Sequence, residues 1–441
     1  MFSVRTFKGG VHIKAHKHTG DFPTVKMRVP DRVIIPMLQH IGAACVPMVG
    51  KGDAVKAGQK IGDSEAYVSS PVHSSVSGVV LNVGPCLYPG GMEVPSVEIQ
   101  SDGKQEYFEG IGPPEGDLLR DKAGILKAVR ESGLVGLGGA GFPTHVKLSV
   151  PAGKNIQIVL INGAECEPFI TSDYREMLEN TERVIEGIRT VKGLMGAQKA
   201  LLCIEGNKPH AVGLYKSRLA GAGDVEVVSL GTRYPQGAEK QLIYAVTGRK
   251  VPAGALPADV GVLVQNINTV SFLSEYLRTG VPLIKRRITV DGSAVAHPAN
   301  VEVPVGTRLR DVFEFCGGFK KAPAKIVMGG PMMGIAQFSL ETPVLKQTNA
   351  ILAFGPEDAG TPAESVCIRC GKCVGACPMN LTPLLINSSV VRGDFEAAAS
   401  YHAGDCIECG CCSYVCPAKR HLVQSIRLAK AQLRRKKQGA V

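Results

Sequence analysis

The sequence has 441 residues and a formal net charge of +11; 44% of its residues are hydrophobic and none is tryptophan. No stretch approaches the roughly 18 consecutive apolar residues of a membrane-spanning helix, and the first ten residues lack the apolar core of an export signal. We therefore expect several domains without a transmembrane segment or signal peptide. The fourteen cysteines fit a reducing compartment, and the basic charge, without aromatic interleaving or a known motif, does not indicate nucleic-acid binding.

Residues 1–30 are predicted to form a polar N-terminal arm. His12, His16 and His18 lie there among lysines, between glycines. Three histidines could bind a metal ion, but nothing in the pattern fixes their geometry. The prediction is therefore a solvent-exposed arm.

Residues 31–114 contain short apolar runs between turn residues, which is the spacing of a small β-sandwich. The segments 49–62 and 70–80 resemble the barrel-sandwich fold of biotinyl and lipoyl carrier domains. The modified lysine of a carrier would fall near Ser64 to Tyr67, where this sequence has no lysine. We predict a barrel-sandwich domain with a structural or docking role.

A glycine-rich loop at 136–141 is the main feature of the first part of the next domain, 115–280. It follows a helix predicted over 117–132, whereas a dinucleotide-binding fingerprint would follow a strand. The loop therefore fails that test. Its glycines still allow backbone N–H groups to approach an anion, and Lys147 is placed to pair with a phosphate or a flavin edge.

The rest of 115–280 predicts a parallel α/β sheet, because strands and helices alternate. Residues 162–168 follow the first strand, at the kind of position where open α/β sheets bind ligands. Glu165 and Glu167 could alternatively stabilise a helix N-terminus. The predicted strands are 156–161, 200–205 and 225–230, and the predicted helices are 181–192 and 211–220.

Residues 281–345 return to β-structure. Strands are predicted over 285–290 and 301–305, with a hairpin signal at Asp291-Gly292 and a helix over 307–315. This pattern resembles the small β-grasp, soluble-ligand-binding-like module of complex I's flavin subunit. The turn 329–331 is interpreted as structural, and a linker over 355–364 leads to the next domain.

The domain predicted over 355–425 contains the spacing C-x2-C-x2-C-x3-C-P twice. Bacterial ferredoxins use this spacing for two 4Fe–4S clusters, and the fourth cysteine of each run binds the other cluster. Zinc sites use pairs of ligands, and disulfides do not explain a repeat. Two short helices are predicted between the runs, over 381–402, and Cys411 is off the spacing. The predicted ligands are Cys367, Cys370, Cys373 and Cys416 for the first cluster, and Cys377, Cys406, Cys409 and Cys412 for the second.

The last segment, 426–441, is a basic tail with helical periodicity. Its cations lie beside Ile426, Leu428 and Leu433. Such a tail could bind an anionic membrane surface or an acidic partner, and a solvated tail is an equal alternative. The cations are Arg427, Lys430, Arg434, Arg435, Lys436 and Lys437.

Two motifs, 136–147 and 162–168, are similar to the flavin-bearing NADH dehydrogenase subunit of complex I. With the cysteine runs and the carrier-like start, the chain from residue 9 to about 427 resembles the C subunits of Rnf electron-transport complexes. Ala164 and Ala238 depart from the complex I pattern by replacing acidic residues. The resemblance implies FMN ligands Gly136, Gly138, Lys147, Asn162, Glu165, Tyr234, Gly237, Glu239 and Asn266, with Phe142 and Glu167 facing NADH.

The resemblance also implies cofactors, partners and location. These are two 4Fe–4S clusters, non-covalent FMN, NAD(H) as substrate, and other subunits of a membrane electron-transport complex, including a ferredoxin-like iron–sulfur subunit. The chain would lie peripherally on the cytoplasmic face of the membrane, through partners or its basic tail. No catalytic side chain is required, because a flavin can exchange electrons in pairs or singly. A non-catalytic wiring or docking subunit and a soluble flavin iron–sulfur oxidoreductase stay open as alternatives.

Overall fold

The computed structural model describes residues 5–116, 121–360 and 362–437, except the side chain of Lys437. The described residues form a barrel-sandwich unit, an α/β unit, a second β unit and a helical cysteine-rich unit, in chain order. None of their helices is both long and apolar enough to cross a membrane.

The N-terminal segment packs against the other units, so the predicted solvent-exposed arm is wrong. Phe7 and Val11 are buried, and strand β1 (Val25–Lys26) joins the sheet of the second β unit. His16 stacks on Phe169 with ring centroids 4.9 Å apart, and His18 Nδ1 lies 3.3 Å from an Asp291 carboxylate oxygen. The segment gave no periodic signal because its apolar residues are buried by distant parts of the chain.

The barrel-sandwich unit consists of two small antiparallel sheets around one apolar core. The strand orders are β2-β8-β7-β4 and β3-β5-β6. Val33, Ile35, Ile61 and Val97 are fully buried between the sheets, as the alternating pattern of a sandwich requires. The strands are β2 (Arg32–Pro36), β3 (Val46–Pro47), β4 (Ala54–Val55), β5 (Lys60–Asp63), β6 (Val72–His73), β7 (Gly78–Leu87) and β8 (Glu93–Ser101).

The α/β unit has a four-stranded parallel sheet of order β11-β10-β9-β12. Helices cover both faces, which is why the strands are almost continuously apolar. The start of the predicted helix 117–132 lies outside the described residues, and the rest of it is α1. The elements are α1 (Lys122–Glu131), α2 (Thr144–Leu148), β9 (Ile158–Gly163), α3 (Ser172–Glu179), α4 (Thr181–Met195), β10 (Lys199–Glu205), α5 (Pro209–Arg218), β11 (Val225–Leu230), α6 (Glu239–Thr247), β12 (Val262–Asn266) and α7 (Ile267–Thr279).

The second β unit is a six-stranded mixed sheet of order β1-β14-β13-β17-β15-β16. The predicted boundary at residue 345 is too early, because β17 lies in the middle of this sheet and pairs with both β13 and β15. The elements are β13 (Lys285–Asp291), β14 (Ala299–Pro304), α8 (Leu309–Phe315), β15 (Lys325–Met328), β16 (Ile335–Gln337) and β17 (Ala350–Phe354).

The cysteine-rich unit is helical, and α10 and α11 are the two short helices predicted between its runs. The last helix starts at Leu422, and its residues Ile426 and Ala429 are buried in the unit's core. The predicted domain boundary at residue 426 therefore falls inside a helix that belongs to this unit. The alternative of a wholly solvated tail is wrong, because part of this helix is buried. The helices are α9 (Lys372–Gly375), α10 (Pro383–Val391), α11 (Phe395–Ser400), α12 (Cys411–Tyr414) and α13 (Leu422–Lys437).

Candidate electron-transfer site

The eight repeat cysteines line two separate cavities, and each cavity takes three cysteines from one run and the fourth from the other. This is the grouping expected from the spacing. Among the described residues, no three His, Cys, Asp or Glu side chains converge closely enough to hold a single metal ion. The thiols instead surround a space, as a cubane of four irons requires. The first cavity is lined by Cys367, Cys370, Cys373 and Cys416, and the second by Cys377, Cys406, Cys409 and Cys412.

The two cavities differ in their exposure to solvent. In the first, Cys367 and Cys370 are exposed, and the flanking Val366 and Ile368 are 83% and 68% exposed. In the second, three of the four thiols belong to buried residues. The cysteines of the first cavity are therefore more exposed to solvent than those of the second.

Cys411 also lines the second cavity, but its thiol has a different partner. Cys411 Sγ lies 3.9 Å from the Tyr234 carbonyl oxygen, to which it donates. The contact belongs to an apolar cluster that includes Val11 and Cys409. This geometry fits the expectation that Cys411 is not a cluster ligand.

The second cavity adjoins the α/β unit through the loop after β11 and through α6. The Tyr234 hydroxyl donates to the Cys409 carbonyl oxygen at 2.7 Å, and Gln241 Nε2 donates to the Pro378 carbonyl oxygen at 3.1 Å. Both acceptors belong to or flank cysteines of the second cavity. The more buried of the two candidate cluster sites is therefore the one in contact with the candidate flavin domain.

Asn162 and Asn266 lie side by side at the carboxyl ends of β9 and β12. Asn162 Nδ2 donates to the Gly237 carbonyl oxygen at 2.8 Å, which joins the strand end to the turn 234–239. A Cβ at Gly138 would lie only 3.1 Å from the Asn266 side chain, so the glycine-rich loop lies against the second strand end. The fold thus brings four predicted FMN-binding segments to one edge of the sheet.

Neighbouring units hold the glycine-rich loop in place. The Leu137 N–H donates to Thr269 Oγ1 at 2.9 Å, and Arg286 of the second β unit donates to the Leu137 carbonyl at 3.2 Å. The Ile41 N–H of the barrel-sandwich unit donates to the Gly141 carbonyl at 3.0 Å. Gly141 has φ +65°, a conformation that favours glycine. The barrel-sandwich unit therefore helps to position the glycine-rich loop, which is a structural role of the kind predicted for this unit.

Lys346 fixes the start of the same loop from a buried position. Its ammonium donates to the Pro71 carbonyl at 2.6 Å and to the Gly133 carbonyl at 2.7 Å. Burial lowers the pKa of Lys346 to about 7. Keeping the ammonium charged inside the protein costs free energy, which its hydrogen bonds to the two carbonyl groups offset. Three units of the chain meet at this single side chain.

Lys147 and Glu239, both predicted FMN ligands, form an ion pair in the structure. Lys147 Nζ lies 2.6 Å from Glu239 Oε1, and both side chains are partly exposed. The pair links α2, just after the glycine-rich loop, to the start of α6. An anionic ligand at this edge would compete with Glu239 for the Lys147 ammonium.

Several buried polar groups at this edge have no partner within the described protein. Gln236 is fully buried, and both atoms of its side-chain amide lack a hydrogen bond. Glu165 is buried, with Oε1 accepting from the Asp173 N–H at 2.7 Å and Oε2 unpaired. Burial raises the pKa of Glu165 to about 7, although the nearby Lys17 ammonium opposes the rise. Buried polar groups normally have partners, so these fit a site that binds a polar ligand such as FMN.

Glu167 contacts the second β unit and Tyr234. Its carboxylate accepts from the N–H groups of Met332 at 3.1 Å and Met333 at 2.9 Å, and the Tyr234 hydroxyl lies at 3.4 Å. Burial raises the pKa of Glu167 to about 7 even with these bonds to its carboxylate. The turn 329–331, interpreted from the sequence as only structural, packs on this carboxylate so closely that a Cβ at Gly330 would clash with it.

Phe142 lies at the end of the glycine-rich loop, and its carbonyl oxygen accepts from the Gly136 N–H at 2.8 Å. This bond closes the loop on itself. Its side chain is half-buried. The roles of Phe142 and Glu167 toward NADH stay predictions.

Lys17 is a site residue that the sequence analysis missed. Its ammonium donates to the carbonyl oxygens of Glu165 and Glu167, each at 2.8 Å, and of Ile170 at 2.5 Å. The N-terminal segment thereby fixes the loop after β9. No local pattern distinguishes this lysine from its neighbours, because all its acceptors lie about 150 residues away in sequence.

We expect Lys17→Met to weaken FMN binding tenfold to a hundredfold. The substitution leaves three carbonyl groups without their charged donor, at a cost on the order of 1.5–3 kcal/mol. Titration of flavin-free protein into FMN, followed by flavin fluorescence, measures the affinity. Lys14→Met, at an exposed position three residues away, is the control and should bind FMN normally. An unchanged affinity in Lys17→Met would show that this lysine does not shape the site.

Four family models match successive parts of the chain. They are the RnfC barrel sandwich hybrid domain over 5–104, the Nuo51 FMN-binding domain over 129–275, the SLBB domain over 287–336 and the 4Fe-4S dicluster domain over 366–419. Their order matches the order of the units in the structure.

Several relatives match along nearly the whole chain. The chain is 45% identical to the C subunit of the proton-translocating ferredoxin:NAD(+) oxidoreductase complex of Clostridium ljungdahlii, covering 98% of this chain and 94% of that protein. It is 46% identical to the C subunit of the Na(+)-translocating ferredoxin:NAD(+) oxidoreductase complex of Acetobacterium woodii, with 97% coverage of each. The C subunit of the ion-translocating oxidoreductase complex of Rhodobacter capsulatus is 39% identical, and the match covers 98% of this chain and 83% of that protein.

Proposed function

The chain belongs to the family of C subunits of ion-translocating ferredoxin:NAD(+) oxidoreductase (Rnf) complexes, and we propose that it carries electrons between NADH and two 4Fe–4S clusters by way of FMN. Its partners are the other subunits of such a complex, and its place is the cytoplasmic face of the membrane. The observation that carries the proposal is the contact between the Tyr234 loop and Cys409, which joins the candidate flavin edge to the second four-cysteine cavity.

The residues at the sheet edge have distinct roles in this proposal. FMN bound at this edge would supply the exchange between the two-electron chemistry of NADH and the one-electron chemistry of the clusters. The glycine-rich loop supplies backbone donors for its phosphate, together with Lys147. Asn162, Glu165 and Gln236 supply polar contacts in a site shielded from water. The clusters would be held by the cysteines that line the two cavities.

The geometry supports an order of electron transfer between the two proposed clusters. The second cavity contacts the flavin domain through Tyr234, and Cys367 and Cys370 of the first cavity are exposed. Electrons from NADH would therefore reach the cluster held by Cys377, Cys406, Cys409 and Cys412 first. The cluster at the first cavity would exchange electrons with the ferredoxin-like iron–sulfur subunit.

The exposed residues around the first cavity support docking of such a partner there. Val366 and Ile368 form an apolar centre, and the exposed Arg369 and Lys372 add positive charge beside it. An acidic iron–sulfur protein complements that pattern, because complementary charge speeds association and orients the partner.

We expect Arg369→Glu to slow electron exchange with an acidic ferredoxin about tenfold at low ionic strength. Charge reversal opposes steering, and the difference should disappear in high salt because exposed charges are then screened. The measurement is the rate of cluster reduction by reduced ferredoxin at two salt concentrations. Lys216→Glu, an exposed charge reversal on α5, is the matched control. An Arg369→Glu protein as fast as the control would place the docking face elsewhere.

A second candidate function is a cluster-carrying wiring subunit that does not use NADH. This alternative is supported by residues predicted to bind FMN or NADH that instead contact other protein groups. Lys147 pairs with Glu239, and the Glu167 carboxylate accepts from the N–H groups of Met332 and Met333. Anaerobic purification followed by acid extraction distinguishes the two. Release of FMN together with iron supports the proposed function. Release of iron alone, from a protein that also fails to bind added FMN, supports the wiring subunit.

A further inference from the structure

The two cysteine runs share an unusual backbone conformation between their first two cysteines. Arg369 in the first run has φ 54°, and Glu408 in the second has φ 57°. This left-handed region is sparsely populated for residues other than glycine. In the second run, the conformation directs the Glu408 N–H to Cys406 Sγ at 3.3 Å. The Leu381 N–H similarly donates to Cys377 Sγ at 3.4 Å, so two thiols of the second cavity accept backbone hydrogen bonds.

The last helix holds Glu408 in this position. Arg427 Nε lies 2.9 Å from one carboxylate oxygen of Glu408, and Lys430 Nζ lies 2.5 Å from the other. Lys430 Nζ also donates to the Cys406 carbonyl oxygen at 2.9 Å. Two cations meet one carboxylate, which leaves a net positive charge beside Cys406. At the matching position, the first run carries the exposed cation Arg369.

Such an arrangement changes how readily a cluster accepts an electron. Each electron added makes the cluster one unit more negative, so a nearby positive charge stabilises the reduced form. Hydrogen bonds to cluster sulfurs are among the factors that set the potential. The Lys430 side chain is only 22% exposed, so solvent screens its charge only in part.

We propose that the last helix sets the reduction potential of the cluster in the second cavity, and that Lys430 is its tuning residue. The proposal rests on the proposed function, in which that cavity holds a 4Fe–4S cluster. It gives the basic residues at the start of α13 a role inside the protein. Arg427 and Lys430 keep the Glu408 backbone donor on Cys406, and they keep positive charge at the thiolate.

The test is a potentiometric titration of the anaerobically purified holoprotein, followed by electron paramagnetic resonance. We expect Lys430→Met to lower the ratio of reduced to oxidised second cluster roughly tenfold at a fixed potential, a shift of about 59 mV to more negative values for a one-electron couple. The first cluster should not shift. Lys430→Arg keeps the charge and should restore the potential, and Arg434→Met, one turn further along the exposed face, should behave as wild type.

A full iron content in Lys430→Met together with an unchanged second-cluster potential would overturn the proposal. If that variant loses iron, Arg427→Met provides the test, because Arg427 contacts Glu408 without bonding the Cys406 carbonyl. A shift of that variant in the same direction supports the proposal, and no shift overturns it. If wild-type protein binds only one cluster, the proposed function itself fails for the second cavity, and iron analysis shows this before any variant is made.

Discussion

Replacing Cys377 with alanine is expected to remove the cluster of the second cavity and to leave the cluster of the first cavity in place. Cys377 belongs to the first run in sequence, but it lines the cavity formed by Cys406, Cys409 and Cys412. The variant should retain roughly half of the bound iron, because each cubane needs four thiolates. Iron analysis and electron paramagnetic resonance of the reduced protein measure the loss.

Cys411→Ala is the matched control, because Cys411 is a buried neighbour that donates to the Tyr234 carbonyl instead of completing the spacing. Its iron content should equal that of the wild type. Loss of the first cluster's signal in Cys377→Ala, with the second intact, would contradict the grouping of the cysteines.

Gly237→Ala is expected to weaken FMN binding by tenfold to a hundredfold. A Cβ at this position would lie 2.6 Å from the Ala164 carbonyl oxygen, so either the 234–239 turn or the loop after β9 must move. Overpacking of this kind costs about 1–3 kcal/mol, and here the displacement falls on residues predicted to bind the flavin. Flavin fluorescence titration measures the affinity.

The control for that variant is Gly213→Ala on α5, where an added Cβ meets nothing within 4 Å. It should bind FMN normally, and both variants should keep their iron. A Gly237→Ala protein with wild-type FMN affinity would mean that the flavin does not bind beside this turn.

Local patterns predicted the parts of the molecule that depend on short-range spacing. The C-x2-C-x2-C-x3-C-P repeat predicted the grouping of cysteines around two cavities, because a tight loop can present only three of its thiols to one cluster. The alternation of strands and helices predicted a parallel sheet with a strand over 225–230, and β11 has these bounds and pairs in parallel with β10. The strand β12 was missed, because a short apolar run cannot be distinguished by periodicity from a segment of a buried helix.

Other features depend on contacts between distant residues, which no local pattern reveals. Lys17 bonds the loop after β9, and Lys346 joins Pro71 to Gly133. The basic residues of α13 suggested a surface tail, yet Lys430 reaches back to Glu408 and Cys406. In each of these cases a charged side chain that would ordinarily be solvated is used to position backbone near a predicted cofactor.

The most direct test of the account is rapid mixing of anaerobic, FMN-reconstituted protein with NADH. We expect the flavin absorbance to bleach first and the cluster absorbance to fall afterwards, with the second-cavity cluster reduced before the cluster of the first cavity. If NADH bleaches neither chromophore in protein whose clusters dithionite does reduce, the NADH-linked function is contradicted, and the chain is a wiring subunit.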